Sequence, residues 1–146
     1  MPTRTARTAW NGTLEKGSGQ VELTSSGIGT YTVSFPTRSA DSANGSTSPE
    51  ELIAAAHSAC YAMQLSAVVA EAGGTPESLE VSAEVSLGAD PAGGFRLTGI
   101  ALKVRGEAGA MDAEAFVKAA QVAKDTCPVS KALTGVEISL DAALES

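Results

Sequence analysis

Two cysteines, Cys60 and Cys127, and a single histidine, His57, are the side chains of this sequence most suited to covalent or redox chemistry. The thiolate is the reactive form of cysteine, so the question at each position is what would ionise it. Cys60 falls within a run from Leu52 to Ala70 that holds no charged residue. An apolar setting raises a thiol's pKa and leaves it inert. A neighbouring cation reverses that. A guanidinium at ~4 Å contributes about 4 kcal/mol at an effective dielectric of ~20, before desolvation. That suffices to bring a thiol from its usual ~8.5 to below neutrality. Cys127 precedes Pro128 and so takes the N-cap of a short helix, where the helix dipole favours a thiolate. By that reasoning Cys127 is the more acidic thiol, but the local sequence does not decide which cysteine attacks first. His57 lies one helical turn before Cys60, within reach of it. It is either half of a Cys–His couple or a hydrogen-bonded structural residue. Both cysteines also suit a plain place in the core. No CxxC or HxxxH spacing supports a zinc site, and no metal is expected.

The elements that must position these groups are legible in the pattern. Residues 3–10 read as a strand, with Trp10-Asn11-Gly12 as a hairpin signal. Gln20 to Thr24 and Thr30 to Phe35 alternate apolar and polar residues, which predicts an antiparallel meander. Pro36 to Thr47 reads as a loop. Ser48 as N-cap, Pro49 at N1 and Glu51 at N3 make a capping box that opens a long helix to about Glu71, stopped by Gly73-Gly74. The helix is apolar enough to be buried on nearly all sides. A chain this small does not surround such a helix, which favours an oligomer. Residues 78–87 and Phe95 to Arg105 alternate strictly, apart from a slip near Gly99, and form a hairpin across Asp90–Gly94. Asp112 caps a helix over 113–124, a short helix spans 128–133, and Val136, Ile138 and Leu140 mark a last strand.

Composition narrows the function classes. The 146 residues are the size of one domain, and 43% hydrophobic against 18% charged excludes intrinsic disorder. Aromatics are 4%, so Ala, Val, Leu and Ile must build the core. The net charge of −7 argues against nucleic acid and anionic membrane surfaces as partners, since both need a basic face. The opening MPTRTARTAW holds no apolar signal core, so a cytoplasmic location is expected. Two cysteines in a reducing compartment are then core residues or a working redox pair. The order of elements describes an α+β fold in which helices pack on antiparallel sheet.

At the two cysteines the sequence resembles a known family. TSPEELIAAAHSAC (47–60) followed by CPVSKAL (127–133) is similar to the OsmC/Ohr family of thiol-dependent peroxidases. The resemblance extends over nearly the whole chain, including Trp10-Asn11-Gly12, FPTRS (35–39), VSAEVSL (81–87) and EISLDAAL (137–144). AAAHSAC, CPVSKAL and the place of the arginine, in a later loop than in Ohr, look like the OsmC branch. The resemblance implies a single OsmC-like domain over residues 1–146. It implies antiparallel β-sheets packed around a long central helix, in an intertwined homodimer with active sites at the interface. It implies Cys60 as the peroxidatic cysteine, Cys127 as the resolving cysteine, Arg38 as the activating arginine and Glu50 as its partner. The implied activity is reduction of organic hydroperoxides through a Cys60 sulfenic acid and a Cys60–Cys127 disulfide. An external dithiol, of the lipoyl type, regenerates the thiols, and no bound cofactor is implied.

A geometric check bears on that assignment. Glu50 and Cys60 are ten residues apart. In one straight helix they stand about 15 Å apart along the axis and on different faces. Either the helix bends, or Glu50 serves the other subunit's site. Two further readings compete. One is a dimeric module that holds a small apolar ligand, its thiols idle. The other is acyl transfer through Cys60 and His57.

Overall fold

The computed structural model describes residues 1–145. Along the chain run β1 (Arg7–Asn11), β2 (Ser18–Glu22), β3 (Thr30–Val33), α1 (Phe35–Arg38) and α2 (Pro49–Glu71). They are followed by β4 (Thr75–Ala89), β5 (Phe95–Gly109), α3 (Ala113–Thr126), α4 (Pro128–Ala132) and β6 (Ile138–Leu144). This is an α+β architecture with two three-stranded sheets. Its contacts divide into two compact units, Met1–Leu52 and the chain from Ile53 onward.

In the first unit β1, β2 and β3 form an antiparallel meander, with Trp10 opposite Gly19 and Val21 opposite Tyr31. Gly12, at φ +100°, turns the chain after β1, and the Trp10 indole N–H donates to its carbonyl at 3.0 Å. One sequence expectation is corrected here. Phe35–Arg38 is a turn of helix, although the alternation through Phe35 predicted strand and Pro36 predicted loop. Ser34 caps it, accepting from the Thr37 amide at 3.3 Å, and Pro36 sits in the first turn. The same Ser-plus-Pro signal opens α2, but at Ser34 the preceding alternation of Tyr31 and Val33 masks it. Thr47 then returns to β3 through a 2.9 Å bond from its amide to the Thr32 carbonyl.

At the start of α2 the Ser48 hydroxyl oxygen accepts from the Glu51 amide at 3.1 Å, while the Glu51 carboxylate takes the Thr47 hydroxyl at 2.5 Å. The helix end is a Schellman motif: Gly74 N–H bonds the Val69 carbonyl and Gly73 N–H the Ala70 carbonyl, with Gly73 at φ +91°.

In the second unit β4 and β5 make a long antiparallel hairpin. The slip expected near Gly99 is a bulge: Ser86 pairs with Gly99 and Leu87 with Leu97, leaving Thr98 over. β6 runs parallel to β5, from Ile100 opposite Ile138 to Gly106 opposite Leu144. The expectation of purely antiparallel sheet is therefore corrected. The β5–β6 connection carries α3 and α4, and a crossover of that length is what a parallel pair requires. One core cluster unites Tyr61, Leu65 and Val69 of α2, Ile100, Leu102 and Val104 of β5, and Phe116, Ala120 and Ala123 of α3. The Tyr61 hydroxyl donates to the Ala120 carbonyl at 2.8 Å and fixes the two helices.

α2 is long and apolar enough to cross a membrane by length and composition. The expectation that it is buried on nearly all sides holds for one face only. His57, Tyr61, Leu65 and Val68 are buried, whereas Ala56, Ala59, Met63, Ala67 and Ala70 form an exposed apolar stripe. Sheet and α3 reach one side of a helix, so the opposite stripe is left open.

Candidate active site

The first pair of groups is built in the second unit. Pro128 disfavours helical backbone at the residue before it, and Cys127 accordingly adopts φ −61°, ψ 125°. Cys127 thus ends α3, its amide bonding the Ala123 carbonyl at 2.8 Å, and begins α4, its carbonyl accepting from Lys131 at 3.0 Å. That junction turns its side chain toward α2. The Cys127 and Cys60 sulfurs lie 3.4 Å apart, 67 residues apart in sequence, and both are free thiols. Cys127 is fully buried and Cys60 is partly exposed. A disulfide needs about 2.05 Å, so closing it takes a shift of roughly 1.4 Å.

The two thiols differ in acidity. Burial pushes the Cys60 thiol up, a hydrogen bond from the Val129 backbone opposes this, and Cys127 adds to the rise, so Cys60 stays above its ordinary value. Burial also works to raise Cys127. Hydrogen bonds from the Ser130 backbone, from Cys60, from the Ser130 side chain and from the Val129 backbone outweigh it and hold Cys127 below its ordinary value. The sequence expectation that Cys127 is intrinsically the more acidic agrees with this.

His57 is fully buried, and burial lowers its pKa, which keeps the imidazole neutral. Its Nε2 lies 2.7 Å from Ser130 Oγ, 73 residues away. Of the two roles open to His57 in the sequence, a couple with Cys60 or a hydrogen-bonded structural residue, the structure shows the second, with Ser130 as the partner. Ser130 was not singled out, although it is the serine of the Cys-Pro-x-Ser run. Only the fold brings it to His57.

The second pair belongs to the first unit. Arg38, in the last turn of α1, grips Glu50, in the first turn of α2. Nε donates at 2.9 and 3.2 Å to the two carboxylate oxygens, and Nη2 donates at 2.8 Å to Oε1. The one-turn helix α1 aims this fork, so the missed element is what positions Arg38. The Glu50 side chain is 10% exposed and that of Arg38 33%. An ion pair so placed holds the guanidinium rigidly while leaving part of it accessible. Arg38 also lines a cavity of about 320 Å³ whose walls include Trp10, Leu14, Val21, Phe35 and Leu52.

A mixed two-sheet fold with a long helix, a close pair of unlike thiols and a forked Arg–Glu pair defines a small class of thiol proteins. The description of OsmC-like proteins matches residues 41–141, and the chain belongs to that family. It is 42% identical to the peroxiredoxin OsmC of Escherichia coli (strain K12) over 137 residues, covering 94% of this chain and 93% of that protein. It is 41% identical to the organic hydroperoxide resistance protein OhrA of Bacillus subtilis (strain 168) over 102 residues, or 66% of this chain and 67% of that one. The longer match to OsmC agrees with the branch read from the sequence. The crystal structure of OhrB of Bacillus subtilis superposes with a TM-score of 0.72 at 28% identity, covering 94% of this chain and 97% of that one.

Proposed function

We propose that this protein is a cysteine-based hydroperoxide reductase that prefers organic hydroperoxides. The observation that carries the reading is the 3.4 Å approach of Cys60 and Cys127 across 67 residues, one partly exposed and one buried. The names of its relatives, a peroxiredoxin and an organic hydroperoxide resistance protein, support it.

In this reading the Cys60 thiolate attacks the distal oxygen of the peroxide. The O–O bond breaks, an S–O bond forms, and the alkoxide takes a proton to leave as the alcohol. Cys60 is then a sulfenic acid. Cys127 attacks its sulfur and displaces hydroxide, which takes the proton Cys127 gave up and leaves as water. The net change is one hydroperoxide and two thiols to alcohol, water and a disulfide. An external dithiol, of the lipoyl type, reduces that bond by exchange and leaves oxidised. Cycling through free thiols suits the cytoplasm.

Burial alone keeps Cys60 protonated, so the reading requires a cation at its sulfur. Arg38 supplies it, stabilising the thiolate and the leaving oxygen, with Glu50 as its orienting partner. We assign Arg38 and Glu50 of one chain to Cys60 of the other in a homodimer. The exposed stripe through Ala59, Met63 and Ala67 gives the partner an apolar surface to cover.

The test is peroxide consumption under a dithiol with cumene hydroperoxide beside hydrogen peroxide. Cys60→Ser is expected to fall to the uncatalysed rate. Cys127→Ser is expected to turn over once and stall. Equal inertness of wild type and both variants would overturn the reading. It would leave the apolar cavity beside Arg38, which suits a small apolar ligand, as the better guide. Substoichiometric peroxide separates the two, because only the peroxidase forms the Cys60–Cys127 bond.

A further inference from the structure

Side-chain contacts join one face of α2 to the α3–α4 junction, and among the described residues the thiol pair is the middle one of three. His57, Cys60 and Gln64 stand at i, i+3 and i+7 of α2, so they share one stripe along the helix. Their partners follow in the reverse order along the chain. His57 Nε2 lies 2.7 Å from Ser130 Oγ, the Cys60 sulfur 3.4 Å from that of Cys127, and the Gln64 amide donates to Thr126 Oγ1 at 2.9 Å. The thiols are therefore bracketed by hydrogen bonds, one helical turn to either side on α2. The two brackets end on different helices. Thr126 is the last residue of α3 and Ser130 the third of α4. Cys127 between them has extended backbone, φ −61° and ψ 125°, and forms the hinge where the two helices meet. The Thr126 hydroxyl is itself aimed. It gives its proton to the Val122 carbonyl at 2.8 Å, which leaves its oxygen to accept from Gln64.

We propose that the His57–Ser130 and Gln64–Thr126 bonds are a two-sided clamp that holds the Cys127 hinge against α2, and so set how readily the Cys60–Cys127 disulfide closes. The four side chains are positioning residues. They act through where they hold Cys127. A hinge pinned on one arm lets its sulfur swing away; pinned on both arms, it keeps the two sulfurs in reach of each other. Closing the bond takes an approach of roughly 1.4 Å, short enough to leave both brackets in place. The clamp therefore removes freedom from the dithiol that the disulfide lacks in any case, and it favours the disulfide. By linkage, the closed disulfide holds both brackets more firmly.

The part of this inference that concerns turnover rests on the peroxidase reading, but the thiol–disulfide equilibrium does not. The first measurement is therefore equilibration with glutathione. The two protein thiols reduce one oxidised glutathione to two glutathione thiols and become the Cys60–Cys127 bond. Thr126→Val keeps the side chain's shape and removes the oxygen that accepts from Gln64. Gln64→Met removes the donor and leaves Thr126 bonded to Val122. Ser130→Ala removes the other bracket. Each should lower the equilibrium constant for disulfide formation about 3- to 10-fold, the size of one hydrogen bond. That fold-change raises the reduction potential by about 15–30 mV for a two-electron couple. Ser130→Ala with Thr126→Val should lose more than either alone, because the two pin different arms of the hinge. Thr126→Ser restores the hydroxyl and should return the potential to the wild-type value. A structural role alone would lower the thermal stability of both redox forms alike and leave the potential in place. Ser130 is buried, whereas Thr126 and Gln64 are half-buried, so their variants keep the test open if Ser130→Ala fails to fold. With cumene hydroperoxide the same variants should slow closure, read as the delay between loss of peroxide and loss of the second thiol. An unmoved or lowered potential in Thr126→Val or Gln64→Met overturns the clamp. So does a potential displaced in Thr126→Ser as far as in Thr126→Val. A raised potential in the variants with wild-type protein inert toward peroxide sinks the peroxidase reading and leaves the clamp standing.

Discussion

His57 shows how much a single buried side chain commits. Its ring is neutral because burial penalises the imidazolium, so its pKa in the folded protein is below the ordinary 6.5. The unfolded chain therefore binds the proton more readily. Stability from this group is complete above about pH 6.5 and is lost as pH falls from there through the lowered folded value. Denaturant midpoints of the wild type should hold between pH 8 and 7 and fall between pH 6.5 and 5. His57→Gln should lack that step. The ordinary carboxylate range lies near pH ~4, and Asp141, hydrogen-bonded to Arg105, is held below it. The step is thus separable from acid unfolding at large. A midpoint that declines in parallel in both proteins would assign the loss elsewhere. The same scale explains why two cysteines of one chain differ. Cys127 stands at the start of α4, ahead of that helix's free amides, whereas Cys60 stands mid-helix, where the local amides are already spent on carbonyls.

At the scale of elements, the sheet and α3 meet through an absent side chain. Gly106 of β5 lies under the ring of Phe116. A Cβ there would stand 2.6 Å from Cζ, 2.7 Å from Cε1 and 2.9 Å from Leu79 Cδ2. Phe116 is fully buried, so the ring has nowhere to retreat. Gly106→Ala should cost about 1–3 kcal/mol by overpacking, read as a lower midpoint in denaturant with an unchanged slope. A neutral outcome would mean that α3 slides on the sheet. That matters for the thiols, because the end of α3 carries Cys127. A separate bond ties the same end of α3 to α2: the Gln64 amide donates to Thr126 Oγ1 at 2.9 Å, one residue before Cys127. Two helix ends, one cap and one glycine therefore hold the sulfurs in register.

At the scale of the whole molecule the open question is the partner. Met63 is 74% exposed in the middle of α2, within a stripe of alanines. If a second copy covers that stripe, Met63→Glu places a charge in an apolar interface and should convert a dimer to monomer in sedimentation equilibrium. A dimer unaffected by that change would put the interface elsewhere. The assignment of Arg38 and Glu50 to the partner's Cys60 makes a separate prediction. On that assignment a Glu50→Ala chain and a Cys60→Ser chain should each be inactive alone. Mixed, they should regain about half the wild-type activity per heterodimer, because one of its two sites is whole. No recovery in purified heterodimer would place all four residues within one chain.

Whatever is local can be read from the residues alone. Ser48-Pro49, Asp112 and Cys127-Pro128 announce three helix starts because capping involves residues three or four apart, and the structure has each of them. Strict alternation located β4 and β5, and its lapse near Gly99 located the bulge at Thr98. The downward direction of the Cys127 thiol pKa was readable for the same reason, since the helix start beside it is built from the next few residues. Tertiary structure decided the rest. Periodicity says which face of an element is apolar but not what lies against it. It therefore left open the parallel pairing of β6, the one-sided burial of α2, and the turn of helix that aims Arg38. It placed His57 beside Cys60, because one turn of helix was the nearest contact it could see. The fold brought Ser130 to that imidazole from 73 residues away and set the two sulfurs 3.4 Å apart. Such approaches are set by how α2, α3 and α4 pack on one core, and no local spacing records them.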